Sequence, residues 1–312
     1  MARYLVTGGA GFIGSHLVDA LLQRGDEVRV FDNFSTGYEH NLAHCINDIE
    51  LVRGDLRDAE AVSQAVAGCE VIFHEGALPS VPRSVSDPLT TDAVNTGGSL
   101  HVLQAARQHG ARRVVFAASS SVYGATPILP KVETMAMSPK SPYAVSKMAA
   151  ESYLKVFHHV YGLETVGLRY FNVFGPRQDP TSQYSGVIAR FMTLALQGEP
   201  YTMNGTGNQS RDFTYVANVV QANLLAASVP AAAGHVFNIA CGLRISLNDV
   251  VAMLNKLVGK ELPIIYSPAR TGDVEHSLAD ISAARQILGF EPSVDIETGI
   301  ARTLDWYRTQ GA

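Results

Sequence analysis

Six short apolar runs, rich in β-branched and aromatic residues, punctuate the first half of the chain: RYLVTG, EVRVFDN, ELVRGD, EVIFHEGA, RRVVFAAS and ETVGLRYFNVFG. Between them lie longer stretches with helical period, such as FIGSHLVDALLQRG and SLHVLQAARQHG. Repeated strand-then-helix order demands right-handed crossovers, and these build a parallel sheet covered by helices on both faces. The alternation therefore predicts an α/β fold, a doubly wound parallel sheet. After Gly175 the pattern loosens, punctuated by Pro176, Pro180, Pro200, NGTGNQS and Pro268. Residues 1–174 are expected to form the sheet domain, with returns to it around 213–241. Residues 175–312 are expected to form mainly a smaller, mixed α/β substrate-binding domain, interleaved with the first.

The stretch TGGAGFIGSH joins the first run to the first helical pattern and sets Gly8, Gly11 and Gly14 three residues apart. Early glycines let a backbone turn and approach a pyrophosphate, the last permits close helix–strand packing, and the helix N-terminus then faces the phosphates. Asp32 ends the second run. A carboxylate there accepts from a ribose diol and repels a 2′-phosphate, which favours NAD over NADP on a Rossmann sheet. In GDLRD, Asp55 and Leu56 end the third run, where an adenine would lie. Read alone, Asp32 is also compatible with a turn or cap residue.

SPYAVSK places Tyr143 and Lys147 four residues apart on one helix face. A free tyrosine is a poor base at neutral pH, but a nearby ammonium and the positive nicotinamide of NAD⁺ both favour phenolate. Lys147 can also bind the nicotinamide ribose. An amphipathic helix with one Tyr and one exposed Lys is the plain alternative. The stretch AASSSVYG sets Ser119, Ser120 and Ser121 before Gly124, either as a polar loop or as one wall of an active site.

Bulk properties narrow the partners. Of 312 residues, 46 % are hydrophobic and 17 % charged, and the formal net charge is −5, so no overall field favours nucleic acid or an anionic membrane. Any anionic ligand must be held by local arginines and backbone amides. MARYLVTGG lacks the pattern of a signal peptide, and no apolar run is long enough to span a bilayer. Cys45, Cys69 and Cys241 form no C-x-x-C pair and read as reduced thiols of a cytoplasmic protein. No metal is expected.

Taken together, TGGAGFIGSH, ASSSVYG, SPYAVSK, GLRYFNVFG, SRDFTYV and TGDVEHSLAD make the chain resemble the extended short-chain dehydrogenase/reductases of the nucleotide-sugar 4-epimerase type, over nearly its whole length. Within that family it is most similar to UDP-N-acetylglucosamine and UDP-glucose 4-epimerases. The resemblance implies a homodimer with tightly bound NAD. It implies cofactor contacts at Gly8, Gly11, Phe12, Ile13, Gly14, Asp32, Asn33, Asp55, Leu56, Tyr143, Lys147 and Tyr170. As an isolated aromatic on a strand, Tyr170 would be read as core. Ser119 becomes the third catalytic group beside Tyr143 and Lys147. Related 4,6-dehydratases carry acidic residues at the two positions that here are Ser120 and Ser121, and related decarboxylases carry Glu at the second. Their absence disfavours elimination and decarboxylation.

By the same resemblance the UDP-sugar meets Ser80, Arg83, Ser119, Ser120, Ser121, Tyr143, Asn172, Gly186, Val187, Arg211, Arg270, Asp273 and Ser277. Arg83 fits a loop-stabilising role equally well. A small residue at Ser277 leaves room for an N-acetyl group, while Pro79 departs from the Gly of such relatives. UDP-glucuronate 4-epimerases are also similar, but tend to carry Thr at the Asn172 position and a basic group near Asp179. Those expectations leave UDP-hexose 4-epimerisation first. A glucuronate epimerase or another nucleotide-sugar enzyme comes second, and a catalytically silent NAD-binding scaffold third.

Overall fold

The computed structural model describes residues 2–180, 186–268 and 275–310. Its centre is a seven-stranded sheet of β1 (Arg3–Thr7), β2 (Glu27–Asp32), β3 (Ile49–Arg53), β4 (Val71–His74), β5 (Arg113–Ser119), β6 (Glu164–Tyr170) and β7 (Val236–Ile239). The order across it is β7-β6-β5-β4-β1-β2-β3, and every pairing is parallel. This is a Rossmann-like α/β fold. The strand order reverses between β1 and β4, which opens a crevice at their carboxyl ends.

Ten α-helices accompany the sheet among the described residues: α1 (Phe12–Gln23), α2 (Ala59–Val66), α3 (Val81–Ser86), α4 (Pro88–Asp92), α5 (Gly98–Gln108), α6 (Pro142–Tyr161), α7 (Val187–Gln197), α8 (Val216–Ser228), α9 (Leu247–Val258) and α10 (Ile296–Thr309). Successive strand residues point to opposite faces, so apolar runs feed two cores at once. On one face Val6, Val30, Val115 and Phe237 pack with Leu17 and Leu21 of α1 and Val219 and Ala226 of α8. On the other, Leu5, Ile72, Val114 and Phe116 pack with Val62 of α2, Val102 of α5 and Leu154 of α6.

A third core gathers α7, α9 and α10 around Tyr201, Met203 and Phe213. Its strands are short: residues 201–204 pair with 264–267, and 210–211 with 245–246. A two-residue ladder, 214–215 on 173–174, ties this part to the end of β6. No helix among the described residues is long and apolar enough to cross a membrane.

Candidate active site

The crevice is built for close approach. Gly8 has φ +67°, and a Cβ on it would stand 2.7 Å from the backbone N and Cα of Gly76. At Gly14 a Cβ would fall 2.2 Å from the Gly8 carbonyl oxygen, so neither position accepts a side chain. α1 starts directly after this turn with no side-chain cap and no acidic residue in its first turn. Its free N–H groups and positive dipole end are thereby left for an anion.

Asp32, 8 % exposed, is fixed by the Ala10 N–H at Oδ2 (2.9 Å) and the Phe34 N–H at Oδ1 (2.8 Å). Burial raises its carboxyl, and these N–H groups oppose the rise. Asn33 donates to Asp55 at 2.8 Å, while the Arg57 guanidinium grips Asp55 through two bonds of 2.9 and 2.8 Å and holds its carboxyl well below the usual range. Leu56 is buried beside them, and its carbonyl meets the His101 ring at 2.8 Å. A side-chain-free turn, an uncapped helix start and a rigid carboxylate at the end of β2 fit a dinucleotide.

Ser119 ends β5 and Tyr143 opens α6. Pro142 takes the first helical position and Ser141 caps the helix by accepting from the Ala144 N–H at 3.2 Å, a bond worth about 1 kcal/mol. Tyr143 therefore sits in a defined first turn, with Lys147 one turn on. The Ser119 hydroxyl meets the Tyr143 phenol, contacts Ser121 Oγ at 2.8 Å and accepts from the Ser121 N–H at 3.2 Å. Lys147 is only 4 % exposed, donates to the Ala117 carbonyl at 2.8 Å and lies 4.8 Å from the Phe116 ring centre. Burial lowers the Lys147 ammonium to about 8. Burial raises the Tyr143 phenol and the Ser119 hydrogen bond pulls it down.

Several neighbours escaped the sequence reading. The Asn95 side chain accepts from the Leu78 N–H at 2.8 Å and donates to Ser146 Oγ at 3.0 Å, pinning the segment after β4 to α6. His74 bridges Thr7 (2.7 Å) and Ser99 (2.9 Å), and burial drops its imidazole to about 3, so it stays neutral. Tyr170 donates to Glu75 at 2.7 Å and accepts from Asn223 at 2.8 Å. Glu75 and Asn95 carry no local motif. Only Glu75, a carboxyl in an apolar run, gives a signal of its own.

Beyond β6 lies a cavity of about 240 Å³, lined in part by Asn172, Gln178, Gly186, Val187, Asn204 and Arg211. Asn172 stands at φ +35° and donates to the Asp212 carbonyl at 3.0 Å and towards Ser277 Oγ at 3.5 Å. Arg211 donates to the carbonyls of Ser210 and Glu275, each at 3.0 Å. Ser80 and Arg83 are not among the residues lining this cavity: Ser80 caps α3 by accepting from the Arg83 N–H at 3.0 Å. Ser120 and Ser121 open a short turn, residues 120–123, and are half-buried. Arg270 and Asp273 lie outside the described residues. Asp179, by contrast, accepts from Tyr38 at 2.6 Å. Asp19, His44 and Cys45 bring possible metal ligands together, but Asp19 is already held by His44 (2.7 Å) and Arg177 (2.8 Å).

Sheet, glycine turn and Ser/Tyr/Lys cluster together fit a dinucleotide-dependent enzyme. The family model described as "NAD dependent epimerase/dehydratase family" matches residues 4–240, and the chain belongs to that family, an enzyme of the epimerase type with NAD as its cofactor. It is similar to a UDP-glucose 4-epimerase of Mycolicibacterium smegmatis, 39 % identical over 312 residues, covering 99 % of both chains. A UDP-glucuronate 4-epimerase of Thermodesulfobacterium geofontis is 32 % identical over 320 residues, covering 98 % of this chain and 96 % of that one. Among solved structures, the UDP-N-acetylglucosamine 4-epimerase of Methanobrevibacter ruminantium M1, in complex with UDP-N-acetylmuramic acid, superposes with TM-score 0.95 at 39 % identity, covering 99 % of each chain.

Proposed function

We propose that the chain is a UDP-hexose 4-epimerase, inverting C4 of UDP-GlcNAc/UDP-GalNAc and of UDP-Glc/UDP-Gal. The observation that carries this is the Ser119–Tyr143–Lys147 cluster bordered by Ser120 and Ser121. It can move one proton and support hydride exchange, but it holds no adjacent carboxyl for eliminating water. NAD, held by the Gly8–Gly14 turn, Asp32 and Lys147, would supply a carrier for the C4 hydrogen and its electron pair. Tyr143 takes and returns the O4 proton, and Ser119 passes it by hydrogen bonding to O4. Burial keeps the free phenol protonated, so the lowering needed for a base comes from the cationic nicotinamide together with Lys147. Lys147 also holds the nicotinamide ribose.

Inversion requires the keto sugar to turn while its nucleotide stays fixed. Arg211, Asn172, Gly186 and Val187 line the cavity that would hold the UDP, and a guanidinium suits a diphosphate. Arg270 and Asp273 complete this set by resemblance. Ser277 next to Asn172, with Ser80, Ser120 and Gly186, leaves room for an N-acetyl group. Asp179 would repel a substrate carboxylate, which places UDP-glucuronate second.

Two copies are proposed to pair through α6. That helix buries Ala144, Ala150, Leu154 and Phe157 against the sheet and still exposes Val145, Tyr153, Val156 and Val160 along its outer side. A homodimer would cover this stripe. Three free thiols accord with a cytoplasmic location.

Incubation with UDP-GlcNAc, UDP-Glc and UDP-GlcA, followed by proton NMR of the anomeric signals, tests the reading. We expect UDP-GalNAc and UDP-Gal as products. No change in any sugar would sink the epimerase reading, and a 4-keto-6-deoxy or pentose product would move the chain to another reaction of this scaffold. Ser277→Tyr is expected to lose UDP-GlcNAc turnover selectively; equal loss for UDP-Glc would refute the gate.

A further inference from the structure

Asp212 is 0 % exposed, and no arginine, lysine or histidine pairs with its carboxylate among the described residues. Its partners are backbone N–H groups from two separate segments. Oδ1 accepts from Cys241 at 2.9 Å, and Oδ2 accepts from Gly242 at 3.1 Å and from Ala279 at 3.2 Å. Gly242 stands at φ +71°. A left-handed residue in a turn makes successive N–H groups converge, and the hollow they form suits an anion. Burial raises the Asp212 carboxyl to about 6, and these N–H groups oppose the rise.

One side chain thereby joins three parts of the molecule. Cys241 and Gly242 follow β7, at the edge of the large sheet. Ala279 belongs to the segment that carries Ser277. Asp212 itself follows the short ladder of 210–211 on 245–246. The tie reaches three side chains that the UDP-sugar reading needs. The Asp212 carbonyl accepts from Asn172 Nδ2 at 3.0 Å. The Ser277 N–H donates to the Ser210 carbonyl at 3.0 Å, two residues before Asp212. Arg211, between them, lines the cavity, while Asp212 does not and is turned inward.

We propose that Asp212 is a positioning residue: its carboxylate, gripping the Cys241–Gly242 turn and Ala279 from inside, sets Arg211, Asn172 and Ser277 at the spacing that binds a UDP-sugar. The proposal deepens the epimerase reading, since it rests on this cavity taking the nucleotide. Asparagine has nearly the same shape as aspartate but supplies one acceptor oxygen in place of two, and its NH₂ would face a backbone N–H. A buried N–H left without an acceptor costs free energy, and the backbone moves to relieve it. Here the backbone that would move carries Arg211 or Ser277.

The test is calorimetric titration of UDP into the NAD-loaded protein, parent beside Asp212→Asn. The variant is expected to keep its NAD and to bind UDP about tenfold more weakly, the effect of one unsatisfied buried donor. KM for the UDP-sugar should rise by a similar factor, and by more than kcat falls. A residue that only staples the fold would lower the melting temperature and leave UDP affinity and KM of the folded protein unchanged; that result overturns the proposal. If Asp212→Asn fails to fold, Gly242→Ala takes its place. A Cβ there meets only Ile281, at 3.8 Å, so the change falls on the φ +71° turn and its N–H groups. UDP binding should weaken in the same direction, and unchanged affinity overturns the proposal equally. A chain that binds UDP but turns over no sugar loses the epimerase reading alone, and one that binds no UDP loses both.

Discussion

Lys147 and Glu151 lie one turn apart on α6, and Arg169 and Tyr170 are consecutive on β6, yet the two constellations they form are built on opposite lines. Glu151 and Arg169 are each at most 1 % exposed and joined by bonds of 2.8 and 2.7 Å. Arg169 donates further to Tyr123 at 2.7 Å, and Lys155 adds a contact to Glu151 at 3.1 Å. Burial would lower the guanidinium, and the Glu151 contacts reverse that, so Arg169 keeps its charge near neutral pH. Glu75 and Lys147 share no direct bond: Glu75 accepts from the Tyr170 hydroxyl, and Lys147 donates to the Ala117 carbonyl. Saturated contacts hold charge still; an unsaturated pair lets it move. The first constellation fastens α6 to the sheet, and the second leaves each charge without an ionic partner in contact among the described residues.

The contrast yields graded outcomes. Tyr143→Phe should cut turnover by about 10²–10⁴-fold while shifting stability by less than about 0.5 kcal/mol. Rate assays beside urea denaturation check both, and a near-wild-type rate would remove Tyr143 from its role. Glu151→Ala should do the reverse. It strands a buried guanidinium and is expected to cost about 3–5 kcal/mol of stability, with the folded fraction retaining its rate per molecule. A loss below about 1 kcal/mol would show that the pair does not fasten the helix. Smallest is the joint replacement Glu151→Leu with Arg169→Met, where no charge is stranded and stability should stay close to that of the parent. A loss as large as that of Glu151→Ala would mean that Arg169 matters through Tyr123, not through the ion pair.

The same two constellations show where sequence reading reaches and where it stops. Strands buried on both faces must be apolar throughout, so EVIFHEGA and RRVVFAAS announce a parallel sheet by themselves. Gly14 and the place of Tyr143 are also legible, because Gly14 packs on the Gly8 carbonyl six residues before it and Tyr143 follows the Ser141 cap and Pro142 directly. Glu75 depends on Tyr170, 95 residues on, and Tyr170 on Asn223, 53 further. No local period encodes such a relay. The lobe beyond Gly175 is obscure for a related reason: ladders such as 214–215 on 173–174 are two residues long and too short to show an alternation. Ser80 teaches a narrower lesson, since its hydroxyl is spent on the start of α3, a use that competes with any ligand.

The central claim is that C4 is inverted by lending its own hydrogen and taking it back. Running the reaction on UDP-GlcNAc in deuterium oxide and reading C4 of the product by NMR addresses this directly. The account predicts inverted sugar carrying the original hydrogen at C4 and no deuterium there. Deuterium at C4 of the product would contradict it.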